Sequence, residues 1–185
     1  LNYNQNIKII ISVHKNYKAH LEGLIEKFEL KNKDIAITFG GETRFDSVKN
    51  GLPLINDNTA VVGIHDSARP FVSLETIKNC YETALLKGNA VPCISINESM
   101  RKISNNVNNS VNRNEFKIVQ TPQCFLVEKI KKAFEQNYMS VFTDDAAVFE
   151  SIGENIVLIE GNEENIKITS PFDLLIAGAL LAQQN

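Results

Sequence analysis

The sequence predicts an α/β fold: a doubly wound, mostly parallel, Rossmann-like sheet with helices on both faces. Three observations predict it. Several short segments are rich in β-branched residues and nearly continuous in apolar character, as strands covered on both faces are. Amphipathic segments, with apolar residues every three or four positions, stand between them. The connections are short, so strand and helix alternate in the order that gives right-handed crossovers on a parallel sheet. The 185 residues, 43% hydrophobic and 22% charged, fit one compact domain.

Residues 7–13 (IKIIISV) read as the first buried strand. Residues 15–30 follow as a helix with Tyr17, Leu21, Leu24, Ile25 and Phe28 on one stripe. Residues 34–39 (DIAITF) form a second strand that ends at Gly40 and Gly41. A helix over 44–54 comes next, its end weakened by Gly51 and Pro53, and then a third strand over 60–64 (AVVGI). Ser73 suits the cap of a helix over 74–86, with Glu75 in its first turn and Gly88 past its end, before a fourth strand over 90–94.

Residues 95–119 break this rhythm with an Asn-rich centre flanked by partly alternating segments, which reads as an extended hairpin arm. An isolated two-stranded hairpin is marginal in water, so the arm is expected to lean on a second subunit; a surface loop is the alternative. Beyond Pro122 the pattern gives a helix over 126–138. A helix capped by Thr143 follows over 144–152, then strands over 156–159 and 166–169. Ser170-Pro171-Phe172-Asp173 is a helix start with Pro at its first position, and 174–181 is an apolar final helix.

Charge and cysteine usage narrow the function classes. Nineteen Lys and Arg against 22 Asp and Glu leave a net charge of −3, so nothing global steers the protein to nucleic acid or an anionic membrane. The longest strongly apolar run, residues 9–13, is far short of the roughly 20 residues that span a bilayer. Cys80, Cys93 and Cys124 lack the paired spacing of a zinc or redox motif, which favours reduced thiols in the cytoplasm. The sequence opens on Leu1 rather than Met, with no signal segment after it, and reads as a chain whose beginning is missing.

Ligands of such sheets bind beyond the carboxyl ends of the strands. Gly40-Gly41 there is either a plain turn or a loop that lets a ligand approach the backbone, with Ser47 in reach of a base or sugar. His65-Asp66-Ser67-Ala68-Arg69-Pro70 places an acid, a hydroxyl and a guanidinium at a strand end. Asp66 can hold a divalent cation or a ribose hydroxyl, and Arg69 can take a phosphate in two parallel hydrogen bonds. The alternative is an Asp66–Arg69 salt bridge that shapes the loop. Glu98-Ser99-Met100-Arg101, Gln120-Thr121-Pro122-Gln123 and Asn165 to Thr169 are expected on the same side. Lys167 points opposite to Ile166 and Ile168, into a site or into solvent.

Six segments in order, GGETRFDSVKNGL, HDSARPFV, CISINESMR, VQTPQCF, FTDDAAVFE and EGNEENIKITSPFDL, resemble the 2-C-methyl-D-erythritol 4-phosphate cytidylyltransferases of the non-mevalonate isoprenoid pathway. The resemblance runs from Asp34 to Leu181. It implies a nucleotidyltransferase-type fold, with residues 1–185 as one domain and 95–119 as a dimerisation arm, in a cytoplasmic homodimer. It also implies transfer from CTP to a polyol phosphate with release of pyrophosphate, aided by a divalent cation, usually magnesium. Carried over by position, Gly41, Glu42 and Ser47 meet the cytosine and ribose, Arg44 supports their loop, and Asp66 and Ser67 belong to the ribose and metal-phosphate region. Asp66 is the candidate metal ligand. Arg69, Ser99 and Thr121 hold the polyol phosphate. Lys167, and Arg113 reaching across the dimer, position it for attack. Ser99 stands where the family more often has Thr, which keeps the hydroxyl.

Family members begin with a strand and a glycine-rich loop whose Arg and Lys embrace the CTP phosphates. Neither precedes residue 7 here, so the resemblance implies a domain short of both and, by the usual cost of electrostatic donors, a rate lower by roughly 10⁴ or more. Two other functions fit the same residues. One is a cytidylyltransferase for another polyol phosphate such as ribitol 5-phosphate, and the other is a non-catalytic nucleotide-binding dimer module.

Overall fold

The computed structural model describes residues 7–183, so Leu1, at the expected missing beginning, lies outside the described residues. The first two strands, β1 (Ile9–Val13) and β2 (Ile35–Phe39), pair in parallel with Ile9 opposite Ile35. Between them the helix is shorter than its apolar stripe suggests. A 3-10 turn at Lys15–Tyr17, started by His14 accepting the Asn16 N–H, precedes α1 (Lys18–Lys27), and Glu29 in a left-handed conformation ends it. Leu21, Leu24 and Ile25 are half-buried, whereas Tyr17 and Phe28 at the ends of the stripe are exposed.

Thr43 and Asp46 form a reciprocal capping box that starts α2 (Arg44–Gly51). The helix stops at Gly51, and Leu52–Leu54 continue as a 3-10 turn around Pro53. Phe45 anchors α2, stacking on Phe134 at 4.7 Å and Phe142 at 5.7 Å between ring centres. β3 (Val61–Ile64) leads through the His65–Pro70 loop to α3 (Leu74–Lys87), capped by Ser73 and closed by Gly88 at φ 92. β4 (Asn89–Ser95) then runs out into the arm, where β5 (Arg101–Ser104) and β6 (Val107–Ser110) form an antiparallel hairpin. Asn105 and Asn106 adopt positive φ at its tip, which is why the turn is built of Asn. The chain returns along β4 as β7 (Lys117–Val119).

The α/β class stands, but the sheet is mixed rather than mostly parallel. The reason is β8 (Gln123–Leu126), which the sequence reading leaves without a strand between Pro122 and a helix starting at Leu126. It lies antiparallel between β3 and β4, and β9 (Leu158–Glu160) pairs parallel with β4. The helix after β8 is α4 (Val127–Ala133). α5 (Asp145–Glu150) is capped by Asp144, whose carboxylate accepts the Ala147 N–H, and not by Thr143. Residues 166–169 form no strand; they are irregular and tied by Ile168 N–H to the Ala68 carbonyl at 2.9 Å. α6 (Pro171–Ala182) begins at Ser170 as expected.

Alternation along β4 and β8 divides the core. Val91 and Phe125 point to a cluster with Phe45, Ile130, Phe134, Phe142, Val148 and Phe149. Ala90 and Cys124 point the other way, where the small side chains Cys80 and Ala84 let α3 pack close. Arg44 at the start of α2 bonds both Asp66, just beyond β3, and Asp145, at the start of α5, so these three ends converge.

Candidate functional site

The loop after β3 holds the centre of the site. Asp66 is 14% exposed, and its two oxygens are gripped from different directions. Lys167 Nζ meets Oδ2 at 2.9 Å, and Arg44 Nε donates to Oδ1 at 3.1 Å. Arg69 Nε stands 3.9 Å from Oδ2. Burial alone would raise the Asp66 carboxyl, but Lys167 and Arg44 outweigh it and hold the group below the usual carboxylate range. Asp66 is an anion surrounded by three cations, one from the start of α2, one from its own loop and one from the segment before α6.

Buried amides lock this loop to that segment. Asn165, with no exposed surface, donates to the Thr121 carbonyl at 2.8 Å, while Arg69 donates to the Asn165 carbonyl at 2.7 Å. Gln120 donates to the Asn162 carbonyl at 2.8 Å. Gly161 permits this closeness, since a Cβ there would lie 2.2 Å from the Gln120 Oε1 atom. Lys167 is two residues beyond Asn165, so the lysine projects from a fixed backbone while its own side chain stays 44% exposed.

Thr121 joins the same centre. Its hydroxyl accepts the Asp66 N–H at 3.0 Å and lies 2.9 Å from His65 Nδ1. His65 Nε2 is 3.0 Å from the Arg69 carbonyl, which can only accept. That network assigns the proton to Nε2, leaves Nδ1 as acceptor and makes Thr121 the donor to it. Although His65 is exposed overall, desolvation of its ring lowers its pKa, in keeping with a neutral imidazole.

The glycine loop lies beside this cluster. Gly41 N–H donates to Ser47 Oγ at 3.1 Å, and Ser47 Oγ–H donates to the Thr43 carbonyl at 2.9 Å. Gly41 and Glu42 are exposed at the mouth of the loop, and Ser67 is exposed on the neighbouring one. Arg44 links the two loops. Its Nη1 and Nη2 take both oxygens of Asp145 at 2.8 and 2.6 Å, while its Nε takes Asp66. Asp145 is the polar group at the site that sequence reasoning misses, whereas Asn165 belongs to a segment expected there. Two adjacent acids at one helix start, Asp144 and Asp145, where the cap was expected at Thr143, were the available signal for Asp145.

Arg44, Asp66, Arg69, Thr121 and Lys167 are thus brought together. Ser99 and Arg113 are not part of the network: both are exposed on the arm, and Arg113 donates to the Asn97 carbonyl across the arm's base. As for a cation, no group of three or more His, Cys, Asp or Glu converges among the described residues. Asp66 is ionised, and among the described residues each oxygen accepts from one donor within hydrogen-bonding distance. It therefore fits the role of single protein carboxylate to an ion held mainly by phosphate oxygens and water, the usual manner of magnesium.

Comparison with known proteins agrees with the motifs. The family model described as 2-C-methyl-D-erythritol 4-phosphate cytidylyltransferase matches residues 1–183. A protein of that name from Bacteroides fragilis is 44% identical over 181 residues, covering 97% of this chain and 81% of that one. The crystal structure of 4-diphosphocytidyl-2C-methyl-D-erythritol synthase from Anaerococcus prevotii superposes with a TM-score of 0.84 at 25% identity, over 95% of this chain and 78% of that one. The Francisella tularensis 2-C-methyl-D-erythritol 4-phosphate cytidylyltransferase gives 0.70 at 32% identity, over 78% and 71%.

Proposed function

The chain belongs to the 2-C-methyl-D-erythritol 4-phosphate cytidylyltransferase family, and from that premise we propose how its residues carry the reaction. CTP and 2-C-methyl-D-erythritol 4-phosphate give 4-diphosphocytidyl-2-C-methyl-D-erythritol and pyrophosphate. An oxygen of the sugar phosphate attacks the α-phosphorus of CTP in line, and the bond to the β-phosphate breaks. A phosphate monoester is already largely dianionic at neutral pH, its second pKa being about 6, so no general base is needed. The difficulty is to bring two polyanions together, which is a task for fixed cations.

The observation that carries this reading is the cluster of Lys167, Arg44 and Arg69 around Asp66 at the carboxyl end of β3. Lys167 and Arg69 hold and orient the sugar phosphate, with Thr121 beside them. Arg113 and Ser99 approach the same phosphate from the arm, Arg113 from that of a second subunit. Gly41, Glu42 and Ser47 meet the cytosine and ribose, and Ser67 the ribose side of the phosphates. Asp66 would hold a magnesium ion, and that ion, when bound, would supply charge neutralisation at the triphosphate. The dimer forms through residues 95–119, supported by the exposure of Ile103 and Val107 on the hairpin. The reading places the protein in the cytoplasm; no described helix is long and apolar enough to cross a membrane.

Pyrophosphate release by the full-length protein from CTP and methylerythritol phosphate, compared with ribitol 5-phosphate, tests the assignment. The expected result is magnesium-dependent release that is much faster with methylerythritol phosphate. Preference for ribitol 5-phosphate, or CTP binding without turnover on any polyol phosphate, would overturn it.

A further inference from the structure

Asp145 has no part in the steps above, yet it is the most completely buried acid at the site. Its side chain is 1% exposed, and both oxygens face the Arg44 fork at 2.8 and 2.6 Å. It is not needed as a cap, since Asp144 accepts the Ala147 N–H. Burial raises the Asp145 carboxyl above its ordinary range against the pull of Arg44. A carboxylate in such a place depends on its partner, and a bidentate guanidinium is the strongest partner available.

The other end of Arg44 gives this pair its consequence. With Nη1 and Nη2 held by Asp145, only Nε reaches Asp66, at 3.1 Å, and the other Asp66 oxygen is left to Lys167 at 2.9 Å. Released from Asp145, the fork is free to turn onto Asp66 and take both of its oxygens, in competition with Lys167. Arg44 is also the first residue of α2, directly after the capping Thr43, so its position sets that of the Gly41–Ser47 loop. One guanidinium thereby ties α5, the loop after β3 and the glycine loop together.

We propose that Asp145 is a positioning residue for cytidylyl transfer: by holding two donors of Arg44 it limits Arg44 to one contact with Asp66 and fixes the nucleotide loop against the phosphate side. This inference rests on the cytidylyltransferase reading. Its test is a double-mutant cycle in the full-length protein with Asp145→Asn, Arg44→Gln and the double variant. Pyrophosphate release, CTP binding by calorimetry and the melting temperature are measured for each.

Asp145→Asn is expected to lower kcat/KM on the order of 10- to 100-fold, the scale of a misplacement near 1 Å. The double variant is expected to be no worse than Arg44→Gln alone. Equal losses from Asp145→Asn in both backgrounds, or an unchanged kcat/KM, would overturn the inference; a purely structural role would move the melting temperature alone. If Asp145→Asn does not fold, Arg44→Lys, at a side chain 35% exposed, keeps the charge but cannot grip two carboxylates. It should show a similar loss, and wild-type turnover in it would overturn the inference. Absence of transfer by the unsubstituted protein would overturn the functional reading and this inference together, whereas transfer with additive losses would overturn this inference alone.

Discussion

Gly41→Ala tests whether the glycine loop holds the nucleotide. A Cβ at position 41 would lie 2.2 Å from the Asp46 Cβ and 3.1 Å from the Asp46 carbonyl carbon, neither of which is a flexible side-chain end. Ordinary contact begins near 3.4 Å, so loop and helix start must part by about 1 Å, a displacement that costs on the order of 10²-fold when it falls on a reacting geometry. The helix start cannot yield freely. Asp46 Oδ2 accepts Thr43 N–H at 3.1 Å and Thr43 Oγ1–H at 2.7 Å, and Ser47 Oγ bridges Gly41 and Thr43. Giving up one cap contact costs about 1 kcal/mol, which lowers the melting temperature by about 2–4 °C in a domain of this size. The expected outcome is therefore a loss of about 10² in kcat/KM for CTP with a small loss of stability, read from pyrophosphate release at varied CTP and from thermal melts. Gly40→Ala is the control: its Cβ would meet the rotatable Ser47 Oγ at 3.1 Å, and the effect should be smaller. An unchanged KM for CTP in Gly41→Ala, or a larger defect in Gly40→Ala, would refute the placement of the nucleotide on this loop.

Lys167→Ala should lower turnover by about 10²- to 10³-fold, the scale of one electrostatic donor, with secondary structure intact by circular dichroism; near-normal turnover removes Lys167 from the mechanism. Ile103→Asp places a charge on the hairpin at a side chain 77% exposed, and light scattering is expected to give a dimer for the native protein and a monomer with the fold retained for the variant; a native monomer, or an unshifted variant, would remove the arm from the proposed interface. His65 has its pKa lowered from 6.5, chiefly by desolvation, so below 6.5 the unfolded chain binds the proton first. Stability contributed there is complete above 6.5 and lost as pH falls through the folded value. Urea midpoints on either side of 6.5 should fall with acid in the native protein and fall less in His65→Asn; equal slopes would show that the imidazole is not held neutral by the loop.

What the sequence discloses and what it hides follow from the reach of each interaction. Strands β1 to β4 carry their apolar, β-branched pattern within a few residues, and the caps at Ser73 and Ser170 act on residues in the next turn, so local pattern finds them. β8 depends on partners 34 and 63 residues upstream, with Cys124 against Ala90 and Phe125 against Val62. Its four residues, QCFL, run straight into α4 and carry too short a period to distinguish. Yet β8 puts the Thr121–Pro122 turn next to Asp66. Asp66, Arg69, Thr121 and Lys167 are legible because they are polar residues at the ends of such segments, and their chemistry is plain from type alone. Asp145 is not, because an acid in the first turn of a helix is already explained by the helix dipole. Its actual partner is Arg44, 101 positions earlier. A local role is sufficient for Asp144, which caps α5, and insufficient for Asp145: an acid that serves a helix start can remain in water, while one with both oxygens buried requires a cation brought to it by the fold. Where two adjacent acids stand at a helix start and one suffices as cap, the second is the one whose partner should be sought elsewhere in the chain.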